Sequence, residues 1–246
     1  MNLVNKVALI TGSSSGIGEA TARLFAKEGA TVVLVARDIE KLKNIEKTIN
    51  KSGGTALALQ LDVSDSDQVI NVVNSAIQKY GKIDILINNA GITRDSFIEN
   101  MTVEMWDDVI SVNLSGAFYM IHAVLPQMIK RKFGNIINMS SIAARRGAVT
   151  QANYSASKAG IIGLTLTLAQ ELGKKGITIN AIAPGLVNTK MVEKIPEKIA
   201  EKWLKIIPVG RFATPEEIAH LCLYLVSEHG QYINGSVIDI NGGLIG

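Results

Sequence analysis

The amino-terminal stretch of the chain combines an apolar run, a glycine-rich loop and a helical pattern. Residues 6–11 (KVALIT) are typical of a buried parallel strand and lead directly into Gly12-Ser-Ser-Ser-Gly16-Ile-Gly18. A helical pattern follows and ends near Gly29. This order is typical of a dinucleotide site, because glycines let the backbone approach a pyrophosphate at a helix amino terminus. A glycine-rich turn without a ligand is the alternative.

The alternation of strands and helices continues along all 246 residues, without a linker or a low-complexity stretch. It predicts one domain, 1–246, of the α/β class: a single doubly wound parallel sheet, Rossmann-like, with helices on both faces. The predicted strands are residues 6–11, 31–35, 56–63, 83–87, 134–141, 177–183 and 237–240. Ser64, Thr102 and Thr214 are the predicted caps of three helices. Residues 186–213 are expected to form short helices over a cleft, as a lid.

Composition and charge argue against several classes of protein. A formal charge of +3 and an aromatic content of 5% do not fit a nucleic-acid-binding surface. No apolar run approaches the about 18 residues of a membrane span, and the amino terminus lacks a signal-peptide pattern. Cys222 is the only cysteine, and His122, His220 and His229 have no metal-ligand spacing. We therefore expect a cytoplasmic protein with no metal site and no nucleic-acid or membrane partner.

A tyrosine and a lysine four residues apart point to chemistry. Tyr154 and Lys158 fall in a helical pattern, so both side chains lie on one helix face, and Ser141 precedes the tyrosine by thirteen positions. A cation beside a phenol favours the phenolate, which predicts a lowered pKa for Tyr154 and a usable acid or base. Taken alone, the pair also fits two ordinary surface residues.

Polar residues and glycines follow several predicted strands. Asn88-Asn89-Ala90-Gly91 come after the fourth strand, where the two amides can fix loops or simply form a turn. Arg37 follows the second strand and can meet a 2′-phosphate or lie in solvent; the adjacent Asp38 weakens the first interpretation. Asn113 lies inside a long helical pattern and favours a local kink there. Since ligands bind beyond the carboxyl ends of parallel strands, these positions predict a site at that edge.

The chain resembles the short-chain dehydrogenase/reductases over essentially its whole length. The matching pieces are TGSSSGIG at 11–18, Asp62, NNAG at 88–91, Asn113, Ser141, YSASK at 154–158, and PG at 184–185 followed by Thr189. Finer features resemble the 3-oxoacyl-[acyl-carrier-protein] reductases of that family: NNAGITRD at 88–95, QANYSASKAG at 151–160, PVGRFATPEEIA at 208–219 and YINGSVIDINGG at 232–243. Acetoacetyl-CoA reductases and reductases of sugars, quinones and steroids share much of this pattern.

The resemblance implies NADPH-dependent reduction of a 3-oxoacyl thioester to a 3-hydroxyacyl thioester in fatty-acid synthesis. The alternatives are an acetoacetyl-CoA reductase, another short-chain carbonyl reductase or alcohol dehydrogenase, and a non-catalytic dinucleotide-binding protein. It implies that Tyr154 donates a proton to the developing alkoxide and that Ser141 hydrogen-bonds the same oxygen. It further implies that Lys158 lowers the pKa of Tyr154 and holds the nicotinamide ribose, while Asn113 positions a water chain that returns protons.

The residues that the resemblance assigns to the site fall into three sets. The catalytic residues are Asn113, Ser141, Tyr154 and Lys158. The substrate-binding residues are Ser141, Gln151 and Tyr154. The cofactor-binding residues are Gly12, Ser14, Ser15, Gly16, Ile17, Gly18, Arg37, Asp62, Val63, Asn89, Ala90, Gly91, Tyr154, Lys158, Pro184, Gly185, Val187 and Thr189.

Two positions depart from the family pattern. Ser15 stands where members that prefer NADPH often carry a basic residue, so the choice of NADP(H) over NAD(H) depends mainly on Arg37. Arg145 and Arg146 stand in a loop after the serine that is usually small and apolar. They can meet phosphates of a carrier arm or of CoA, or lie in solvent, and we favour solvent.

The expected partners are an acyl-carrier protein or CoA thioester substrate and further copies of the chain. The helices at 102–132 and 152–174 carry more small and apolar residues than packing on a sheet requires, including Ala159, Gly160, Gly163 and Ala169. We expect them to pack across a twofold axis, and the resemblance suggests a homotetramer. Basic clusters at 130–132 and 174–175 end these helices. They can dock an acidic carrier protein or simply complement the helix dipoles.

Overall fold

A seven-stranded parallel sheet forms the centre of the protein. The structure is a computed structural model, and it describes residues 1–189 and 197–244. The strands are β1 Val7–Thr11, β2 Thr31–Ala36, β3 Thr55–Gln60, β4 Ile85–Asn88, β5 Gly134–Met139, β6 Ile177–Pro184 and β7 Val237–Ile240. Their order in the sheet is β3-β2-β1-β4-β5-β6-β7, and every neighbouring pair is parallel. The predicted α/β fold is confirmed, and the strand order reverses between β1 and β4, where such folds bind ligands.

Helices cover both faces of this sheet. They are α1 Gly16–Lys27, α2 Ile39–Lys51, α3 Ser66–Tyr80, α4 Val103–Ile110, α5 Gly116–Arg131, α6 Ala143–Arg146, α7 Ala152–Leu172, α8 Glu197–Ile206 and α9 Pro215–Val226. Buried residues of α1, α2 and α9 belong to one apolar core, and those of α3, α5 and α7 belong to a second. The two cores lie on opposite faces of the sheet, as the doubly wound plan requires.

Alternating strand residues supply the two cores. In β1, Ala8 and Ile10 join the first core, while Val7 and Leu9 join the second. All four are at most 5% exposed, because successive side chains of a strand point to opposite faces and both faces are covered by helices. The continuous apolar run that predicted this strand is therefore the signature of burial on both sides.

Where the sequence predicts a local kink at Asn113, the structure has a π-helical segment, Ser111–Ser115, between α4 and α5. Among the described residues, the whole stretch Val103–Arg131 is long and apolar enough to cross a membrane by length and composition. Its inner residues Met120, Val124 and Met128 are fully buried against the sheet. Packing within the fold accounts for this inner face, while Val103, Trp106 and Phe118 of the same stretch are exposed.

Several predicted strand and helix ends differ from the structure, most of them by one or two residues. The third strand ends at Gln60 rather than continuing to 63, so Asp62 lies in the following loop. Ser64 does not cap α3, because its hydroxyl donates to Asp62 Oδ1 at 2.7 Å while Asp65 accepts the N–H groups of the first turn. Part of the predicted lid, residues 190–196, lies outside the described residues.

Candidate active site

Four of the segments predicted to form the site lie at the carboxyl ends of neighbouring strands. The glycine loop follows β1, the Asn-Asn-Ala-Gly turn follows β4, Ser141 follows β5 and Gly185 follows β6. These strands are adjacent in the order β1-β4-β5-β6, so the sheet brings the four loops to one edge. Parallel strands all end on the same side, which explains how segments far apart in the chain meet.

The first and last glycines of the glycine loop have no room for a side chain. Gly12 has a φ of 63°, and a Cβ there would lie 2.9 Å from the Cα of Ala90. A Cβ on Gly18 would lie only 2.4 Å from the carbonyl oxygen of Gly12. No side chain caps the amino terminus of α1 at Ser15, so the N–H groups of its first turn remain available to an anion. This narrow backbone cradle fits the pyrophosphate of a dinucleotide.

The turn after β4 braces the glycine loop. Asn89 Nδ2 donates to the carbonyl oxygens of Thr11 at 3.0 Å and of Gly12 at 3.2 Å. The Thr11 hydroxyl accepts the N–H groups of Asn89 and Ala90, each at 2.9 Å. Of the two interpretations of this segment, the structure supports loop fixation. The Asn89 side chain acts on the loop, so contact with a cofactor from this residue falls to its backbone.

The chain after β6 returns to the glycine loop. The N–H of Gly185 donates to Ile240 at 3.0 Å, and Val187 is 5% exposed in the first core. Thr189 then lies beside Gly16, where a Cβ would be 3.1 Å from the Thr189 methyl group. Of the predicted cofactor residues on this segment, Thr189 therefore lies next to the glycine loop, whereas Val187 packs in the first core.

Arg37 and Asp38 have different environments at the end of β2. Asp38 caps α2 by accepting the Lys41 N–H at 3.1 Å, and its carboxylate also pairs with the Lys41 ammonium. These hydrogen bonds hold the pKa of Asp38 below its ordinary value. Arg37 is exposed, and its guanidinium has no ion-pair partner among residues 1–189 and 197–244. The adjacent carboxylate is thus engaged elsewhere, which removes the argument against Arg37 as a phosphate contact.

Lys158 is buried one helical turn after Tyr154. Its side chain lies with the tyrosine on one face of α7, with Nζ 5.7 Å from the centroid of the Tyr154 ring. Nζ donates to the carbonyl oxygen of Met139 at 2.8 Å, and Lys158 is 4% exposed. Burial lowers the pKa of Lys158 to about 8. Since a Cβ on Gly91 would lie 3.4 Å from this Nζ, the turn after β4 closes directly over the ammonium group.

The expected lowering of the Tyr154 pKa is wrong for the chain alone. Burial raises the pKa of Tyr154, a hydrogen bond with Ser141 opposes the rise, and the carboxylate of Asp95 adds to it. Lys158 does not reverse the direction, because its ammonium group is directed to the carbonyl of Met139. Ser141 Oγ accepts the Ala143 N–H at 3.1 Å, and the net environment of Tyr154 favours the protonated phenol.

Asn113 joins the π-helical segment to the turn after β4. Its Oδ1 accepts the Ile92 N–H at 2.8 Å, and its Nδ2 donates to the Ile92 carbonyl at 3.0 Å. Nδ2 also lies 3.1 Å from the Ser157 hydroxyl, and Asn113 is 2% exposed. Two of these three contacts hold the loop at Ile92, and the third ties the π-helical segment to α7 next to Lys158.

The Gln151 side chain contacts Asp95, a contact that the sequence does not predict. Its Nε2 donates to both carboxylate oxygens of Asp95, at 3.2 and 3.0 Å. Asp95 lies within the NNAGITRD motif at 88–95, and residue spacing gives no signal for a contact between residues so far apart. Contact of Gln151 with a substrate stays a prediction, carried by its remaining Oε1 atom.

The two arginines after Ser141 are not simply solvated. The guanidinium group of Arg145 pairs with Asp239 at 3.4 Å, which ties α6 to β7. The guanidinium group of Arg146 lies 5.4 Å from the Trp203 ring of α8, so the predicted lid contacts the helix that follows the serine. No cluster of three or more His, Cys, Asp or Glu side chains suited to a metal occurs in the part of the chain that the structure describes.

Comparison with known proteins agrees with this geometry. Residues 12–245 match the family model described as Enoyl-(Acyl carrier protein) reductase. The chain is 49% identical to the 3-oxoacyl-[acyl-carrier-protein] reductase FabG of Thermotoga maritima, with 100% of both chains covered. It is 43% identical to the protein of the same name from Chlamydia muridarum, with 98% of each covered. The crystal structure of levodione reductase superposes with a TM-score of 0.95 at 37% identity, covering 98% of each chain.

Full-length identity of this level, together with the site geometry, assigns the chain to one class of protein. In this chain the glycine loop and Ser141 follow their predicted strands, and Tyr154 and Lys158 lie in the first turns of α7. The chain belongs to the short-chain dehydrogenase/reductase family and is an oxidoreductase that uses a nicotinamide dinucleotide.

Proposed function

We propose that the protein reduces 3-oxoacyl thioesters carried by an acyl-carrier protein to 3-hydroxyacyl thioesters, with NADPH, in cytoplasmic fatty-acid synthesis. The observation that carries the proposal is the grouping of Ser141, Tyr154 and Lys158 at the strand edge that also holds the glycine loop. The names of the full-length relatives support the substrate class.

The residues present suit the cofactor. The narrow loop around Gly12 and Gly18 and the first turn of α1 would hold the pyrophosphate, and Arg37 would meet the 2′-phosphate. Lys158 would hold the nicotinamide ribose through its ammonium group. When bound, NADPH supplies the hydride that reduces the 3-keto carbon.

The side chains of the protein handle the proton and the developing charge. The Tyr154 hydroxyl, kept protonated by its surroundings, donates its proton to the substrate oxygen. The Ser141 hydroxyl hydrogen-bonds the same oxygen and orients it. Lys158, with a pKa of about 8, carries a positive charge at neutral pH that stabilises the phenolate left on Tyr154. Asn113 holds the turn over Lys158 through Ile92. We propose that it also positions the water chain that returns protons.

Removal of the Tyr154 hydroxyl tests the proposal. Tyr154→Phe keeps the ring, so binding of NADPH should survive while turnover of acetoacetyl-carrier protein falls at least ~10²-fold, the usual scale for a lost general acid. The matched control is Tyr232→Phe, since Tyr232 is fully exposed on the surface. NADPH oxidation is followed with acetoacetyl and crotonyl thioesters. Turnover of Tyr154→Phe within a few-fold of wild type, or reduction of the crotonyl thioester alone, contradicts the proposal.

Assembly into a homotetramer belongs to the same proposal. Ala159, Gly163 and Leu166 share one exposed face of α7, and Phe118 on α5 is 48% exposed. Gly160 and Ala169, also named from the sequence, pack within the subunit against Leu114 and in the second core. A face that is both small and apolar suits close packing of helices across a twofold axis. A monomer mass by light scattering at micromolar concentration would rule out this assembly.

A further inference from the structure

We propose that Asn153 is a positioning residue of the reaction: its buried amide fixes the first turn of α7 and thereby the place of the Tyr154 hydroxyl. The inference rests on the proposed function, in which Tyr154 is the acid. Asn153 is itself fully buried, so it acts through its neighbour in the chain rather than on a substrate.

The helix that carries Tyr154 begins without an ordinary cap. Gln151 occupies the N-cap position of α7, and its side chain accepts no hydrogen bond from the first turn. The N–H of Tyr154 is one of the donors that a helix start leaves without a backbone partner, and Asn153 Oδ1 accepts it at 2.7 Å. The Asn153 amide therefore takes the place of a cap from inside the helix and holds the Tyr154 peptide group directly.

The other end of the Asn153 amide binds two further segments. Nδ2 donates to the carbonyl oxygens of Arg94, in the loop after β4, and of Met105, in α4, each at 3.0 Å. A side-chain amide has two N–H groups and one oxygen, so every partner in this set is matched. An aspartate of the same size would turn an acceptor toward two carbonyl oxygens. Only an amide therefore suits all three segments that meet at this position.

These contacts join the backbone of Tyr154 to the loop that Asn113 holds. Asn113 ties that loop at Ile92, and Asn153 ties it again two residues later, at Arg94. The carbonyl of Tyr154 accepts the Ser157 hydroxyl at 2.7 Å, and that hydroxyl accepts Asn113 Nδ2 at 3.1 Å. The Tyr154 peptide group is thus held on both sides. Since a misplacement of about 1 Å can cost roughly 10²-fold in rate, this hold bears directly on proton donation.

The first test removes the amide. In Asn153→Ala, the rate constant for reduction of acetoacetyl-carrier protein in a single turnover should fall about tenfold or more, while the NADPH dissociation constant stays within about threefold of wild type.

The matched control is Asn180→Ala, which removes a buried amide of β6. Asn180 is 1% exposed, its Nδ2 donates to the Ile233 carbonyl at 2.7 Å, and its Oδ1 accepts the Ser236 N–H at 3.0 Å. Its loss should lower stability in urea to a similar extent and leave the rate constant near wild type.

A double-mutant cycle with Tyr154→Phe separates positioning from loss of structure. Because Asn153 acts through the tyrosine hydroxyl, Asn153→Ala should slow the residual reduction little once that hydroxyl is gone. An equal fall in both backgrounds, or an equal fall in Asn180→Ala, overturns the proposal.

Hydrogen exchange of the backbone amides gives a readout without cofactor or turnover. Exchange in the first turn of α7 should be faster in Asn153→Ala and unchanged in Asn180→Ala, because only the first variant frees the Tyr154 N–H. Unchanged exchange in Asn153→Ala overturns the hold on Tyr154. Absence of thioester reduction by the wild type would instead contradict the proposed function, while the exchange measurement still decides whether Asn153 fixes Tyr154.

Discussion

Two charged residues that directly follow β2, Arg37 and Asp38, bear on the choice between NADPH and NADH. Asp38 is engaged with Lys41 in capping α2, which leaves Arg37 to meet a 2′-phosphate. Arg37→Ala should weaken NADPH binding by ~1.5–3 kcal/mol, the range for hydrogen bonds to charged groups, and leave NADH nearly unaffected. Dissociation constants for both coenzymes, measured by calorimetry, check this.

The control for this prediction is Lys43→Ala, an exposed cation on α2 that pairs with Glu40. It changes the net charge equally but should leave both affinities near wild type. Equal losses for NADPH and NADH in Arg37→Ala contradict a phosphate contact and mean that the coenzyme choice is made elsewhere.

The spacing of Tyr154 and Lys158 predicts their shared helix face but not their protonation. Spacing predicted that Tyr154 and Lys158 share a helix face, and α7 places Lys158 Nζ 5.7 Å from the Tyr154 ring centroid. Spacing did not predict the direction of the tyrosine pKa, because that depends on burial and on the carbonyl to which the lysine turns. Spacing also did not predict the contact of Gln151 with Asp95, because that contact depends on how two loops pack against each other.

At the scale of elements, strands and caps differ in how firmly the sequence determines them. The buried strands were predictable because parallel strands covered on both faces are continuous apolar runs. Thr214 was also predictable: it accepts the Glu217 N–H and Glu217 returns the contact, a capping box. The start of α3 was not, because Ser64 and Asp65 are both good caps and the loop geometry at Asp62 decides between them.

The π-helical segment between α4 and α5 supports the loop over Lys158 through Asn113. Asn113→Ala leaves the N–H and carbonyl groups of Ile92 without their side-chain partner in a part-buried site. We expect the free energy of unfolding to fall by about 1–3 kcal/mol, the penalty for unsatisfied buried polar groups. Urea denaturation measures it.

The comparison for this variant is Asn71→Ala on the exposed surface of α3. An exposed helical asparagine should change stability by no more than about 0.5 kcal/mol. A loss in Asn113→Ala no greater than in this control would show that the amide contacts to Ile92 do not stabilise the fold.

At the scale of the whole molecule, folding joins the two basic clusters that end α5 and follow α7. A Cβ on Gly176 would lie 2.2 Å from the carbonyl oxygen of Lys132, so the two chain segments touch. Arg131 is not part of the resulting surface, because its guanidinium group pairs with the buried Asp84 and donates to Ile83 at 3.3 Å. The exposed members form a single basic patch of Lys130, Lys132, Lys174 and Lys175. The sequence showed the clusters, but only the pairing of β5 with β6 shows that they are one surface.

The basic patch predicts how a carrier-bound substrate approaches. It lies at the amino ends of β5 and β6, away from the active site of its own subunit, and an antiparallel twofold pairing of helices would carry it toward the neighbour's cleft. Charge attraction to an acidic carrier protein would then speed association. Lys132→Glu and Lys175→Glu should lower kcat/KM for acetoacetyl-carrier protein, most at low salt, because exposed charges are screened beyond about 10 Å at 0.1 M. Acetoacetyl-CoA, which needs no docking, should be reduced normally. Equal responses of the two substrates would mean that the lysines only complement the helix dipoles.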